Sequence, residues 1–143
     1  MEWFALILWI LTAAGGFVLL SIWVARGGMQ QAREAGNRIR PPLILSHFAL
    51  AALGLVLWII YVATDSSALA WIAFVLLLVV AALGFTMFGI WWQRRQQRGV
   101  AQGATDPATP AEQQFPVAIV AGHGVLAATT LVLVFLTAIG VGD

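Results

Sequence analysis

Four stretches of this chain contain no Asp, Glu, Lys or Arg: Trp3–Ala25, Pro41–Thr64, Ala68–Trp92 and Phe115–Val141. Each is longer than the roughly 20 residues an α-helix needs to cross a ~30 Å hydrocarbon layer. The expected fold is all-α: a four-helix transmembrane bundle forming one integral membrane domain over 1–143. Composition leaves no room for a soluble domain, because 62% of the residues are hydrophobic and 9% are charged. Soluble domains carry about a quarter charged residues. The first run is expected to be a mature helix rather than a cleaved leader, because it is preceded by acidic Met1-Glu2 and exceeds a signal h-region in length.

Charge sets the expected orientation. All seven cationic residues are arginines and lie in two inter-helix segments, Arg26, Arg33, Arg38 and Arg40 in one, Arg94, Arg95 and Arg98 in the other. The opposite ends carry only Glu2, Asp65 and Asp143. The positive-inside rule then puts both arginine loops in the cytoplasm and both termini outside, in a bacterial-type inner (plasma) membrane. Trp3, Trp9, Trp58, Tyr61 and Trp71 fall toward the outer boundary, Trp23, Trp91, Trp92 and Phe115 toward the inner one, as aromatic belts do. The segment 93–114 is rich in Gln, Ala, Gly, Thr and Pro and is expected to be a flexible cytoplasmic loop.

The chain also repeats itself. SHFALAALGLVL (Ser46–Leu57) and GHGVLAATTLVL (Gly122–Leu133) share H-x-x-L-A-A-x-x-L-V-L. Gly16-Phe17, Ile22-Trp23 and Arg26 recur with the same spacing as Gly84-Phe85, Ile90-Trp91 and Arg94. Two duplicated hairpins are therefore expected, about 1–64 and about 65–143, related by a pseudo-twofold axis along the membrane normal. Parallel repeats of this kind are an established membrane architecture.

His47 and His123, the only two histidines, occupy equivalent places in the repeat. Each lies about 10 Å below the cytoplasmic face at 1.5 Å per residue. Ionisable groups at membrane depth are expensive and read as functional. Two imidazoles on parallel helices at one level suit a single haem b, ligated axially by one nitrogen from each. Small neighbours would admit a flat macrocycle: Ser46 beside His47, Gly122 and Gly124 beside His123, and Gly15, Gly16 and Gly84 on neighbouring helices a turn or two deeper. Arg38, Arg40 or Arg94 would meet the propionates. Saturated iron favours electron transfer over oxygen chemistry.

Competing readings use the same residues. Histidines can simply hydrogen-bond across helices, with Ser46, Thr86, Thr129 and Thr130 as candidate partners. Such a chain would be a non-catalytic structural or assembly subunit of a membrane complex. A transporter would need a polar path, for which the outer halves of the second and fourth helices offer only Thr129, Thr130 and Thr137. Zinc or copper would want more ligands than two histidines, and Met87 reads as core filler rather than a third. With no cysteine there is no disulfide, thiolate cluster or c-type haem attachment. No phosphate-binding, dinucleotide or nucleic-acid motif is present.

Four spans, His47 and His123 on the second and fourth, and small residues beside His123 together resemble the four-helix membrane cytochromes b. That class includes anchor subunits of succinate dehydrogenase and of membrane hydrogenases, and small cytochromes that exchange electrons with quinone or ascorbate. The resemblance implies an electron-transfer subunit rather than a stand-alone enzyme, working with a redox protein partner or larger membrane complex and with quinone near the haem edge, where Trp23, Trp91 and Ser46 have a suitable depth. Two-haem members use four histidines, so this chain would hold one haem.

Overall fold

The structure, a computed structural model, describes residues 1–31, 39–99 and 110–141, the side chains of 98 and 99 excepted. Arg33, Arg38, Asp143 and positions 100–109 of the expected flexible loop lie outside the described residues. Helix α1 spans Glu2–Ala25, the short α2 Gly28–Gln31, α3 Pro41–Thr64, α4 Ser67–Gly99 and α5 Val117–Ala138, with a 3-10 turn at Ala111–Gln114 before α5. No strand occurs among the described residues. Four helices, α1, α3, α4 and α5, are long and apolar enough to cross a membrane. Large apolar side chains cover the outside of the bundle, among them Trp3, Phe17, Phe85 and Val125. This is a multi-pass membrane protein whose exterior suits a lipid bilayer.

The helix ends follow local chemistry. Pro41 and Pro42 open α3, where a missing N–H costs nothing. Asp65 closes it in the left-handed region, φ 52°, which a short polar side chain tolerates. That turn brings α4 back within two residues. Helix α4 runs on through Gly99, past the Trp92 boundary expected from the apolar run, because Gln and Arg are good helix formers and nothing breaks the chain before Gly99. So the first seven positions of the expected flexible loop are helical.

The helices form an up-down-up-down ring. The most extensive packing is between α3 and α4 and between α1 and α5, while α1 meets α3, and α4 meets α5, less closely. The bundle is thus two tight antiparallel pairs, α3–α4 and α1–α5, joined along a looser seam. The expected hairpins each contribute one helix to each pair.

Burial repeats with the sequence spacing. Ala5, Trp9, Thr12 and Trp23 are buried on α1, and the identically spaced Ala73, Leu77, Val80 and Trp91 are buried on α4. Gly54, Trp58 and Tyr61 are buried on α3, matching Thr130, Val134 and Thr137 on α5. Two apolar clusters result. One, around Trp9, Trp58, Ala73 and Val134, fills the end bearing Asp65. The other, around Trp23, Ile39, Ile44 and Trp91, fills the arginine end. There Gly28 lies against the Trp23 indole, where a β-carbon would collide with the ring. Trp9, Trp58, Tyr61, Trp23 and Trp91 are therefore core residues rather than the boundary belt expected of them, while Trp3, Trp71 and Trp92 are exposed. A flat indole fills space between helices as well as it anchors at a headgroup, and hydropathy does not separate the two uses.

Candidate functional site

Between the two apolar clusters lies a layer with a different composition: His47 from α3, His123 from α5, and Gly15, Gly16 and Gly84 opposite them. The glycines sit level with the histidines, not a turn or two deeper as expected. A β-carbon on Gly16 would stand 3.0 Å from His123 Cε1, and one on Gly84 3.2 Å from His47 Cε1. Each imidazole therefore lies on a bare stretch of the neighbouring helix.

This arrangement gives each ring a hydrogen bond. A helical side chain leans toward the N-terminus and covers the preceding turn. Where glycine replaces it, the carbonyl four residues earlier is uncovered. His123 Nδ1–H donates to the carbonyl of Thr12, four residues before Gly16, at 2.9 Å. His47 Nδ1–H donates to the carbonyl of Val80, four residues before Gly84, at 3.0 Å. The two halves thus use the same device. Each bond stays inside one tight helix pair, α5 to α1 and α3 to α4, and so fixes one histidine on each side of the seam.

The tautomer follows. A carbonyl only accepts, so Nδ1 carries the proton and Nε2 of each neutral ring keeps its lone pair. Neither Nε2 has a hydrogen-bond partner among the described residues. The ring centres are 6.4 Å apart and the ring planes cross at 66°. Both rings are partly buried. Chemically, the seam offers two neutral, pre-oriented nitrogen donors on opposite walls. Among the described residues no group of three His, Cys, Asp or Glu side chains could hold a metal ion, so a bare cation has only these two. Met87 packs in the cluster around Trp23 and Trp91.

Of the other residues singled out in the sequence for the haem site, Gly15, Gly16 and Gly84 are brought to the histidines, while Ser46, Gly122, Gly124 and Arg40 are not. Ser46, Gly122 and Gly124 are exposed on the bundle's outer surface, and a β-carbon on either glycine would meet nothing within 4 Å. They flank the histidines in sequence, and on a helix adjacent positions point to different faces. Arg40 is exposed at the start of α3, roughly two turns, or about 10 Å, from the histidine layer. The suggested hydroxyl partners are also elsewhere: Thr86 and Thr129 bond carbonyls of their own helices. Thr130 meets Thr12 at 3.2 Å across α5 and α1.

Sequence reading missed the carbonyls of Thr12 and Val80, which carry no side-chain signal. The signal available was indirect: a glycine on one helix at the level of a histidine on its neighbour. It also missed that Trp23 and Trp91 are enclosed with indole N–H groups that have no hydrogen-bond partner among the described residues. Comparison with family models, curated proteins and solved structures returns no match.

Proposed function

We propose that the chain is a membrane b-type cytochrome subunit in which His47 and His123 would hold one haem b between them through their Nε2 atoms. The carrying observation is the pair of opposed imidazoles. Two metal–nitrogen bonds of about 2 Å each, plus about 1 Å from each ring centre to its nitrogen, span about 6 Å. The separation of 6.4 Å between ring centres is close to that span. The Nδ1–H bonds to carbonyls are the usual outer support of metal-bound histidine, fixing the tautomer and ring orientation. A macrocycle supplies the four remaining ligands that the protein lacks. Gly16 and Gly84 let each ring lie back against its own helix pair.

Bound haem would supply one-electron exchange. His47 and His123 hold and orient it. Apolar clusters flank the layer on both sides. As an electron-transfer subunit the chain needs a donor and an acceptor, and we assign these to quinone and to a redox protein or larger membrane complex meeting the arginine loops. Those loops are read as cytoplasmic, with both termini outside, and the two halves as a duplicated hairpin.

The second reading, a structural subunit, is favoured by the same hydrogen bonds, since each ties two helices together. Titration of haem into the haem-free chain in detergent separates them. The cytochrome reading expects saturation at one haem per chain with a low-spin spectrum, and loss of that site in His47→Ala and in His123→Ala. Absence of saturable binding by the wild-type chain overturns it and leaves the structural subunit.

A further inference from the structure

Trp23 and Trp91 stand at equivalent places on α1 and α4, with the same spacing from Gly16 and Gly84. They lie about two helical turns, roughly 10 Å, from the histidine layer toward the arginine end. Both are enclosed, at 0% and 3% exposure, in one cluster. Neither Nε1–H has a hydrogen-bond partner among the described residues. Buried indole N–H groups normally find an acceptor. An enclosed donor lacking one is unusual, and two at equivalent places on α1 and α4 ask for an acceptor that is itself double.

Resting on the haem reading, we infer that Trp23 Nε1–H and Trp91 Nε1–H are the donors to the two haem propionates. One histidine and one tryptophan come from each helix pair: His123 and Trp23 from α1–α5, His47 and Trp91 from α3–α4. A haem has two carboxylates on one edge, and an axis in the ring plane between them exchanges the two. The two halves of the protein are repeated about the seam in the same sense. Arg95, whose guanidinium lies 5.6 Å from the Trp91 ring centre, adds positive charge at that end. Hydrogen bonds from neutral donors to a carboxylate are charge-assisted and strong. This assignment moves the propionate contacts from exposed Arg40 to a pair of enclosed indoles.

The test is affinity, read by titrating the full chain in detergent with ferric haem b and, separately, with its dimethyl ester, which keeps the ring and iron but removes both negative charges. The wild-type chain is expected to prefer the free acid. Trp23→Phe and Trp91→Phe are each expected to reduce that preference about tenfold, and the double variant about a hundredfold, because each lost bond to a charged acceptor is worth about one decade or more. The low-spin spectrum stays, since both histidines remain. An unchanged preference in the double variant overturns the inference and gives the indoles another acceptor, such as an enclosed water or a lipid phosphate. Should the double variant not fold, the single variants carry the same test. Equal binding of acid and ester by the wild type overturns the inference alone. Binding of neither overturns the haem reading and this inference together.

Discussion

Replacing Gly16 by alanine sets two known effects against each other. Alanine is favoured over glycine within a helix by about 1 kcal/mol. Against this, the new β-carbon stands 3.0 Å from His123 Cε1. Carbon atoms attract best at about 3.5–4.0 Å, so the ring must retreat by about 0.5 Å. That ring is tethered through Nδ1–H to Thr12 at 2.9 Å. A retreat of that size takes the bond beyond the ~3.2 Å limit of good geometry and loses most of its ~0.5–1.5 kcal/mol. Overpacking adds about 1–3 kcal/mol. The net expectation is a loss of about 1–3 kcal/mol in detergent denaturation. Gly84→Ala, at 3.2 Å from His47 Cε1, is expected to lose less. Gly15→Ala places its β-carbon at 3.5 Å from His123 Nδ1, an ordinary contact, and is expected to be tolerated. Gly122→Ala and Gly124→Ala meet nothing within 4 Å and should be neutral or slightly stabilising. Chemical denaturation of the five variants in one detergent orders them. If Gly16→Ala is as stable as Gly122→Ala, the glycine-backed histidine is not how the layer is built.

Three further outcomes are expected. In the haem-free chain, His47→Ala and His123→Ala each remove one inter-helix hydrogen bond, at a cost of about 0.6–1.7 kcal/mol, measured by the same denaturation. Were haem held by both imidazoles at the 66° crossing they have here, the ferric paramagnetic resonance spectrum should show a highly anisotropic low-spin signal; a rhombic one would mean near-parallel rings. Thr130→Val removes the contact with Thr12 at 3.2 Å between α5 and α1, and should cost under about 1 kcal/mol, since Thr12 keeps its bond to the Leu8 carbonyl.

The spans were legible because charge avoidance over a bilayer's thickness has few other causes. The histidine pair was legible for the same reason: a polar residue in an apolar run stands out. The facing of each helix was not. A helix that is apolar all round carries no stripe to mark its inner side, so Gly122 and Gly124 looked as suitable as Gly16 and Gly84. Only packing separates them. The first two open outward, and the second two lie under imidazoles. The acceptors on Thr12 and Val80 are backbone atoms, and any residue there would supply them. The pairing of α3 with α4 and α1 with α5 was hidden too, because the repeat reports which segments correspond and not which ones touch.

The central claim is that the opposed histidines exist to hold one haem. It is tested most directly by the dithionite-reduced minus oxidised absorption spectrum of the protein purified from membranes with ample haem supply, with haem counted per chain. The account predicts a sharp low-spin b-type α-band at one haem per chain, absent from His47→Ala and from His123→Ala. A flat spectrum, or a band that survives in both variants, would contradict it.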